Sequence, residues 1–238
     1  MKILFLGNSI TKGEIGQSFV DLFRNEYPGW IIKNAGVNGD TLKNISDRVA
    51  SEIETNPDYD FIVIEAGYND IILPYLDTKG LLYRFALRYL YRRGRRPVKP
   101  EKFQVKYAQM ISFIQSKSNS TIILTTLGCI NENLSSIVNL QRAYYNDSIV
   151  KIAKDYRCIV ADISHEMESV LKSGSQTDYL LNSILNSMYF DRRRCQSNGG
   201  ADKLSRKRNL LLTIDGVHLN SAGAMIYKQT IERQINAT

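Results

Sequence analysis

Four short segments of the chain hold side chains suited to acyl chemistry. Gly7-Asn8-Ser9-Ile10-Thr11 puts a serine hydroxyl on a glycine-permitted turn directly after an apolar run. Asp215-Gly216-Val217-His218-Leu219-Asn220 sets an aspartate three residues before a histidine. A serine hydroxyl is a poor nucleophile near neutral pH, so acyl transfer needs an imidazole to take its proton and a carboxylate to fix the imidazole's tautomer. The spacing of Asp215 and His218 puts base and orienter on one loop. Between these segments, Asn34-Ala35-Gly36-Val37-Asn38-Gly39-Asp40-Thr41 places two glycines before a helix, with Asp40 or Thr41 as its cap and backbone N–H groups free to face a ligand. Glu65-Ala66-Gly67-Tyr68-Asn69-Asp70 offers the Asn69 amide as a neutral donor. Taken singly, each has a plainer reading: a helix cap, a βα turn, an Asx turn, a surface histidine beside a turn aspartate. Taken in chain order, they supply a nucleophile, two oxyanion donors, and a base with its orienter.

The elements that must position them follow from periodicity. Short apolar runs at Lys2–Leu6, Trp30–Asn34, Asp60–Glu65, Thr121–Thr126 and Cys158–Asp162 alternate with helical segments, the pattern of βα units on a mostly parallel sheet. Helices are expected over Ile15–Tyr27, on the stripe Leu42, Ile45, Val49 and Ile53, on the stripe Phe103, Tyr107, Met110, Ile111 and Ile114, on Leu140, Tyr144, Ile149 and Ile152, and from Ser221 to Ile235. Each candidate segment then follows a strand or precedes the last helix, and ligands of open α/β sheets bind beyond the carboxyl ends of the strands. His165 lies in Ser164-His165-Glu166 and reads as a surface residue at a helix start.

With 238 residues, 43% hydrophobic and 23% charged, the chain reads as one globular domain over 1–238, with inserts at about 71–100 and 173–212. Three cysteines without a C-x-x-C pair favour a reducing compartment, and two histidines without HExxH spacing give no zinc site, so no metal or cofactor is expected. Only four consecutive apolar residues precede Gly7, which predicts no export signal, and no apolar run reaches the roughly 18 residues of a membrane span. A cytoplasmic protein is expected, with peripheral membrane contact as the further option. The net charge of +7 is unevenly spread: Lys79–Lys106 holds ten Lys or Arg against Glu101, and Arg192–Arg208 seven against Asp202, leaving an acidic body. No RNP, zinc-finger or basic-zipper signature accompanies the basic segments, which argues against a nucleic-acid partner.

Together the four segments resemble the SGNH, or GDSL-type, hydrolases, from Gly7 to Asn220, with the inserts as unmatched additions. The resemblance implies Ser9 as nucleophile, and an oxyanion hole from the N–H groups of Ser9 and Gly39 with the Asn69 amide. Asp215 and His218 complete the implied triad, on a three-layer α/β/α flavodoxin-like fold with strand order 2-1-3-4-5. The usual Gly-Asp-Ser-Leu reads Gly7-Asn8-Ser9-Ile10 here, and Asn replaces Asp as turn acceptor. An α/β-hydrolase elbow fits less well, because Gly7 and Thr11 do not complete G-x-S-x-G. The expected activity is serine-esterase hydrolysis of a small or amphiphilic ester, a lipid or acylated sugar. Acyl transfer on the same residues, or a non-catalytic binding role for the basic inserts, are the alternatives. Asn8, Tyr68, Arg84 and Arg88 are the expected substrate contacts.

In the first insert, Gly80–Arg93 puts Arg84, Arg88 and Arg92 on one helical stripe amid apolar and aromatic residues. This helix is either a cover packed on the body or an interfacial helix with arginine at anionic head groups. The second insert, largely apolar from Tyr179 to Phe190 before Arg192-Arg193-Arg194, either covers the same crevice or is a solvated loop.

Overall fold

Five parallel strands form the sheet of the computed structural model, which describes residues 1–55, 58–174, 177–182 and 190–238. They are β1 (Lys2–Gly7), β2 (Ile31–Gly36), β3 (Phe61–Ile64), β4 (Thr121–Thr125) and β5 (Ile159–Ala161), in the order β2-β1-β3-β4-β5. The order and class are those expected. Leu6 of β1 pairs with Ala35 of β2 and with Ile64 of β3, so the loops following these three strands emerge side by side at one edge. Ile3, Leu4, Leu6, Ile62, Ile64, Ile123 and Leu124 are fully buried, as a parallel sheet covered on both faces requires.

One helical layer holds α3 (Leu42–Thr55), α6 (Pro100–Lys117) and α7 (Ile137–Asp155), packed in sequence. The other holds α2 (Phe19–Glu26), α8 (Ile163–Lys172) and α11 (Ser221–Asn236), with α11 against both neighbours. The first helix starts later than Ile15, because Gly16 takes a positive φ of 86° and Ser18 caps the helix, its Oγ accepting the Asp21 N–H at 3.1 Å. The stripe expected on α7 is partly wrong. Ile149 and Ile152 are buried as expected, but Leu140 and Tyr144 are 62% and 52% exposed, and Val138 and Tyr145 are buried in their place. Arg142 takes a core position on the buried stripe, held by Glu168 at 2.7 Å and the Leu127 carbonyl at 3.0 Å, which displaces the apparent apolar register.

The first insert is helical. After β3 comes α4 (Tyr68–Asp77), which begins within the Asn69 segment, and then α5 (Leu81–Arg92). In the second insert α9 (Asp191–Cys195) and α10 (Gly200–Lys207) pack together. This part is no solvated loop: Asp191 is fully buried and forms a two-pronged pair with Arg208 at 2.8 and 2.9 Å, while Arg208 also donates to the Ile214 carbonyl at 2.7 Å. The apolar stretch expected to cover the crevice falls partly at 183–189, outside the described residues; Leu180 before it is buried. No helix among the described residues is long and apolar enough to cross a membrane.

Candidate active site

Ser9 is the first residue of α1 (Ser9–Lys12), a single turn at the carboxyl end of β1. Its turn is built by Asn8, whose Oδ1 accepts the Ile10 N–H at 2.9 Å. Gly7 is required by close approach, since a Cβ there would lie 2.0 Å from Thr11 Oγ1 and 2.8 Å from Glu65 Oε2. Opposite stands the loop before α11. His218 Nε2 is 3.0 Å from Ser9 Oγ, and His218 Nδ1 is 2.7 Å from Asp215 Oδ2. The other carboxylate oxygen of Asp215 accepts the N–H groups of His218 and Val217 at 2.8 and 3.1 Å. With Nδ1–H donated to Asp215, Nε2 of a neutral imidazole is left as the acceptor that faces the serine hydroxyl.

Electrostatics sharpen this pair. Burial works against charge on both residues, yet the Coulombic attraction and hydrogen bonds between them hold the Asp215 carboxyl below the ordinary 3.8 and the His218 imidazole above the ordinary 6.5. Asp215 is therefore an ionised carboxylate at neutral pH, and His218 is a stronger base than a free imidazole.

The expected oxyanion donors converge on the same place. Gly39 adopts φ 79°, and Asn69 sits in the first turn of α4 with Nδ2 donating to the Asp40 carbonyl at 2.8 Å. One amide proton of Asn69 remains for a ligand, as does the N–H of Ser9, which at the first position of a helix has no intrahelical acceptor. Ser9, His218, Gly39 and Asn69 line one cavity of about 280 Å³, whose remaining wall is largely apolar: Ile15, Ile72, Leu73, Leu76, Ala86, Leu87, Leu90 and Leu181. Asn38 and Arg192 also reach it, the latter paired with Glu14 at 3.2 Å. A larger depression, about 770 Å³, lies by Asp58, Asp60, Lys117 and Thr121 at the amino-terminal ends of β3 and β4, the wrong end for a ligand crevice.

The four expected substrate contacts stand elsewhere. Asn8 is 1% exposed and spent on the turn; Tyr68 is 2% exposed with its hydroxyl 2.6 Å from that of Tyr227. Arg84 and Arg88 point outward from α5 and do not line the cavity. It is the apolar inner side of α5, through Ala86, Leu87 and Leu90, that reaches it. The expected cap of α3 is also shared differently: Asp70, from the Asn69 segment, accepts the Leu42 N–H at 2.9 Å and the Val98 N–H at 2.7 Å, and burial pushes its carboxyl up to about 7. Thr41 is bonded to Asn44, whereas Asp40 pairs with Arg48 at 2.8 Å and Arg95 at 3.6 Å. His165 is exposed on α8, as expected.

Three residues that anchor the site have no role in the sequence reading. Glu65, 1% exposed, lies beneath the Ser9 turn, its Oε1 accepting from Asn8 Nδ2 at 2.6 Å and its Oε2 from the Asn8 N–H at 3.2 Å and Thr11 Oγ1 at 3.0 Å. Burial pushes its carboxyl up to about 8 against these bonds. Glu132, fully buried, accepts the N–H groups of Leu211, Leu212 and Thr213 at 2.6, 2.8 and 2.8 Å and the Thr213 hydroxyl at 2.7 Å, fixing the segment that leads into Asp215. Arg48 ties β1 to the Gly39 loop through the carbonyls of Gly7 and Ala35, at 3.2 and 2.8 Å, and Asp40. The sequence signal for Glu65 was present, an acid ending the wholly apolar Phe61-Ile62-Val63-Ile64; Glu132 and Arg48 offered none.

Comparison with known proteins bears on the family and the fold. The GDSL-like Lipase/Acylhydrolase family matches residues 5–226. No curated protein matches the chain in sequence. Among solved structures, the acetyl xylan esterase AlAXEase superposes with a TM-score of 0.65 at 18% identity, over 99% of this chain and 100% of that one. The acetylxylan esterase Axe2 from Geobacillus stearothermophilus gives 0.66 at 19%, over 98% and 93%. LAE5, described as an alpha/beta hydrolase enzyme from the metagenome of Lake Arreo, Spain, gives 0.65 at 17%, over 98% and 93%. At such identities these structures share the fold. The family match runs from within β1 to the first turns of α11, and on that ground the chain belongs to the GDSL-like lipase/acylhydrolases and is an enzyme of SGNH type.

Proposed function

We propose that this acylhydrolase cleaves a carboxylic ester through a covalent acyl-enzyme on Ser9, with His218 as base and then acid, and Asp215 as its orienter. The observation that carries the reading is the unbroken chain from Ser9 Oγ through His218 to Asp215, at 3.0 and 2.7 Å, opening on a cavity with an apolar wall. Ser9 Oγ attacks the carbonyl carbon as its proton passes to Nε2. The oxygen that becomes negative is met by the N–H groups of Ser9 and Gly39 and by Asn69 Nδ2, donors already in place before charge develops. His218 then returns the proton to the departing alkoxide, and water repeats the sequence to free the acid and regenerate Ser9.

The cavity suggests the size of the acyl group. At about 280 Å³ with a largely apolar wall, it suits acyl groups of short to medium length, from acetyl upward. The acetylated substrates named for AlAXEase and Axe2 support the lower end of that range. A fluorophosphonate should label Ser9, detected by peptide mass spectrometry, and Ser9→Ala should lose turnover of p-nitrophenyl esters by several orders of magnitude. Turnover should peak at or below octanoate in a chain-length series, and adding alcohol acceptors to that series separates hydrolysis from acyl transfer. Stable label on another residue, or wild-type turnover in Ser9→Ala, would refute the assignment.

A further inference from the structure

The two sides of α5 face different surroundings. Leu87 is 2% exposed and, with Ala86 and Leu90, forms part of the cavity wall, while Tyr83 anchors the helix by donating its hydroxyl to the Leu181 carbonyl at 2.8 Å. On the opposite side Leu81, Leu82, Phe85 and Tyr89 are 71%, 82%, 65% and 54% exposed. Four large apolar side chains on three helical turns make a contiguous ridge, since residues three and four apart are neighbours. Arg84, Arg88, Arg92 and Arg93 are exposed around that ridge. Among the described residues only Arg84 has an acidic partner, Asp77 at 3.9 Å, and Arg88 and Arg93 lie over the rings of Phe85 and Tyr89 at 5.5 and 4.8 Å.

We infer that the outer face of α5 docks on an anionic phospholipid surface, and that acyl esters dissolved in that surface are the substrates of the cavity beneath. The inference rests on the esterase reading of the cavity only for its second half. Charge complementarity selects the occupant. The ridge needs an apolar phase and the arginines need anions at its border, which is the layering of acyl chains below phosphate head groups. A second copy of the chain meeting this face about a two-fold axis would set the same arginines against one another. Nucleic acid supplies phosphates but no phase for Leu82 and Phe85. The helix is 12 residues, about 18 Å, too short to span a bilayer and suited to lying in its interface.

Co-sedimentation with vesicles of phosphatidylcholine alone, and of phosphatidylcholine with 30% phosphatidylglycerol, tests the inference with the full chain. Binding is expected to the anionic vesicles only, and to weaken as salt rises. Arg92→Glu with Arg93→Glu should lower partitioning at least about 25-fold, about fivefold for each charge lost, and Leu82→Ser with Phe85→Ser should lower it as well. Both pairs lie outside the cavity and should turn over p-nitrophenyl acetate in solution at the wild-type rate, while losing the advantage of anionic vesicles for vesicle-borne p-nitrophenyl octanoate. Ser9→Ala should bind vesicles like wild type, so that failure of the esterase reading shows in turnover and failure of docking shows in sedimentation. No sedimentation with anionic vesicles at low salt, or equal binding to both compositions, overturns the inference. So does a dimer abolished by Phe85→Ser in a protein that ignores vesicles, which would assign the ridge to a second copy.

Discussion

Glu65→Gln separates what a buried carboxylate does for the nucleophile turn from what its shape does. Glu65 Oε1 accepts from Asn8 Nδ2, while Oε2 accepts from the Asn8 N–H and from Thr11 Oγ1. Glutamine keeps one acceptor oxygen and turns the other into a donor. Whichever way it is turned, its NH₂ meets an N–H of Asn8, because Asn8 Oδ1 is already held by the Ile10 N–H at 2.9 Å. One buried donor is left unpaired, at a cost of about 1–3 kcal/mol, or roughly 2–12 °C in Tm for a chain of this size. The difference should depend on pH. Burial holds the Glu65 proton up to about 8 in the folded chain, against about 4.3 in the unfolded one. A carboxyl bound to its proton more tightly when folded contributes stability that is complete below about pH 4.3 and is lost as pH rises through about 8. Wild type therefore gives up about 4 kcal/mol between pH 5 and pH 8, at about 1.36 kcal/mol per pH unit, and the glutamine variant does not. Thermal melts of both proteins from pH 5 to pH 9 should show wild type ahead by about 1–3 kcal/mol at pH 5, with the gap closing and then reversing as pH rises toward about 8, because the loss of about 4 kcal/mol exceeds it. Since Asn8 directly precedes Ser9, loosening it misplaces Oγ, and a shift of about 1 Å costs on the order of 10² in kcat with KM nearly unchanged. A kcat within twofold of wild type would make Glu65 a packing residue only, and a Tm gap constant from pH 5 to pH 9 would refute its titration.

The remaining expectations concern the reacting groups. The base form of His218 must be neutral, and Asp215 holds its proton above the ordinary 6.5, so kcat/KM for p-nitrophenyl acetate should fall as pH drops through an apparent pKa above 6.5. Asp215→Asn should move that limb downward and cut kcat by about 10⁴; an acid limb unmoved by the substitution would dissociate the carboxylate from the imidazole. Asn69→Ala should lower kcat by about 10² to 10³ at constant KM, and a rise in KM alone would reassign Asn69 to ground-state binding.

Much of the scaffold was legible because its signals are local and repetitive. A strand covered on both faces must be apolar throughout, and Ile62-Val63-Ile64 or Ile122-Ile123-Leu124 can hardly be read otherwise. The residues proposed to react were legible for a different reason: Ser9, Asn69, Asp215 and His218 sit on turns that use Gly, Asn and Asp at short spacing. Contacts made across the chain escaped. Arg142 reads as a solvent-facing residue in α7 until Glu168, on another helix, is brought to it, and the misassigned Leu140 and Tyr144 follow from that one omission. Arg208 likewise reads as part of a basic run until Asp191 is buried against it.

The same distinction separates the floor of the site from its cover. Beneath the reacting atoms the ties are carboxylates and guanidinium groups bonded to backbone: Glu65 under the Ser9 turn, Glu132 under the approach to Asp215, Arg48 between β1 and the Gly39 loop. Such ties are directional and costly to leave unmade, so they fix a geometry rather than merely favour it. The Tyr83 hydroxyl on the Leu181 carbonyl apart, the cover is held differently. Leu87, Leu90 and Ala86 close the cavity by apolar contact, which is non-directional and tolerates sliding, and α5 is preceded by Gly80 and followed, after Arg93, by Gly94, where the backbone has positive φ and open space around it. Atoms that must meet within a few tenths of an ångström thus rest on hydrogen-bonded floor, and the part that must admit an acyl chain rests on grease. The chain from Ser9 through His218 to Asp215, at 3.0 and 2.7 Å, gains nothing from a rigid roof, whereas the acyl group proposed for the cavity needs one that yields.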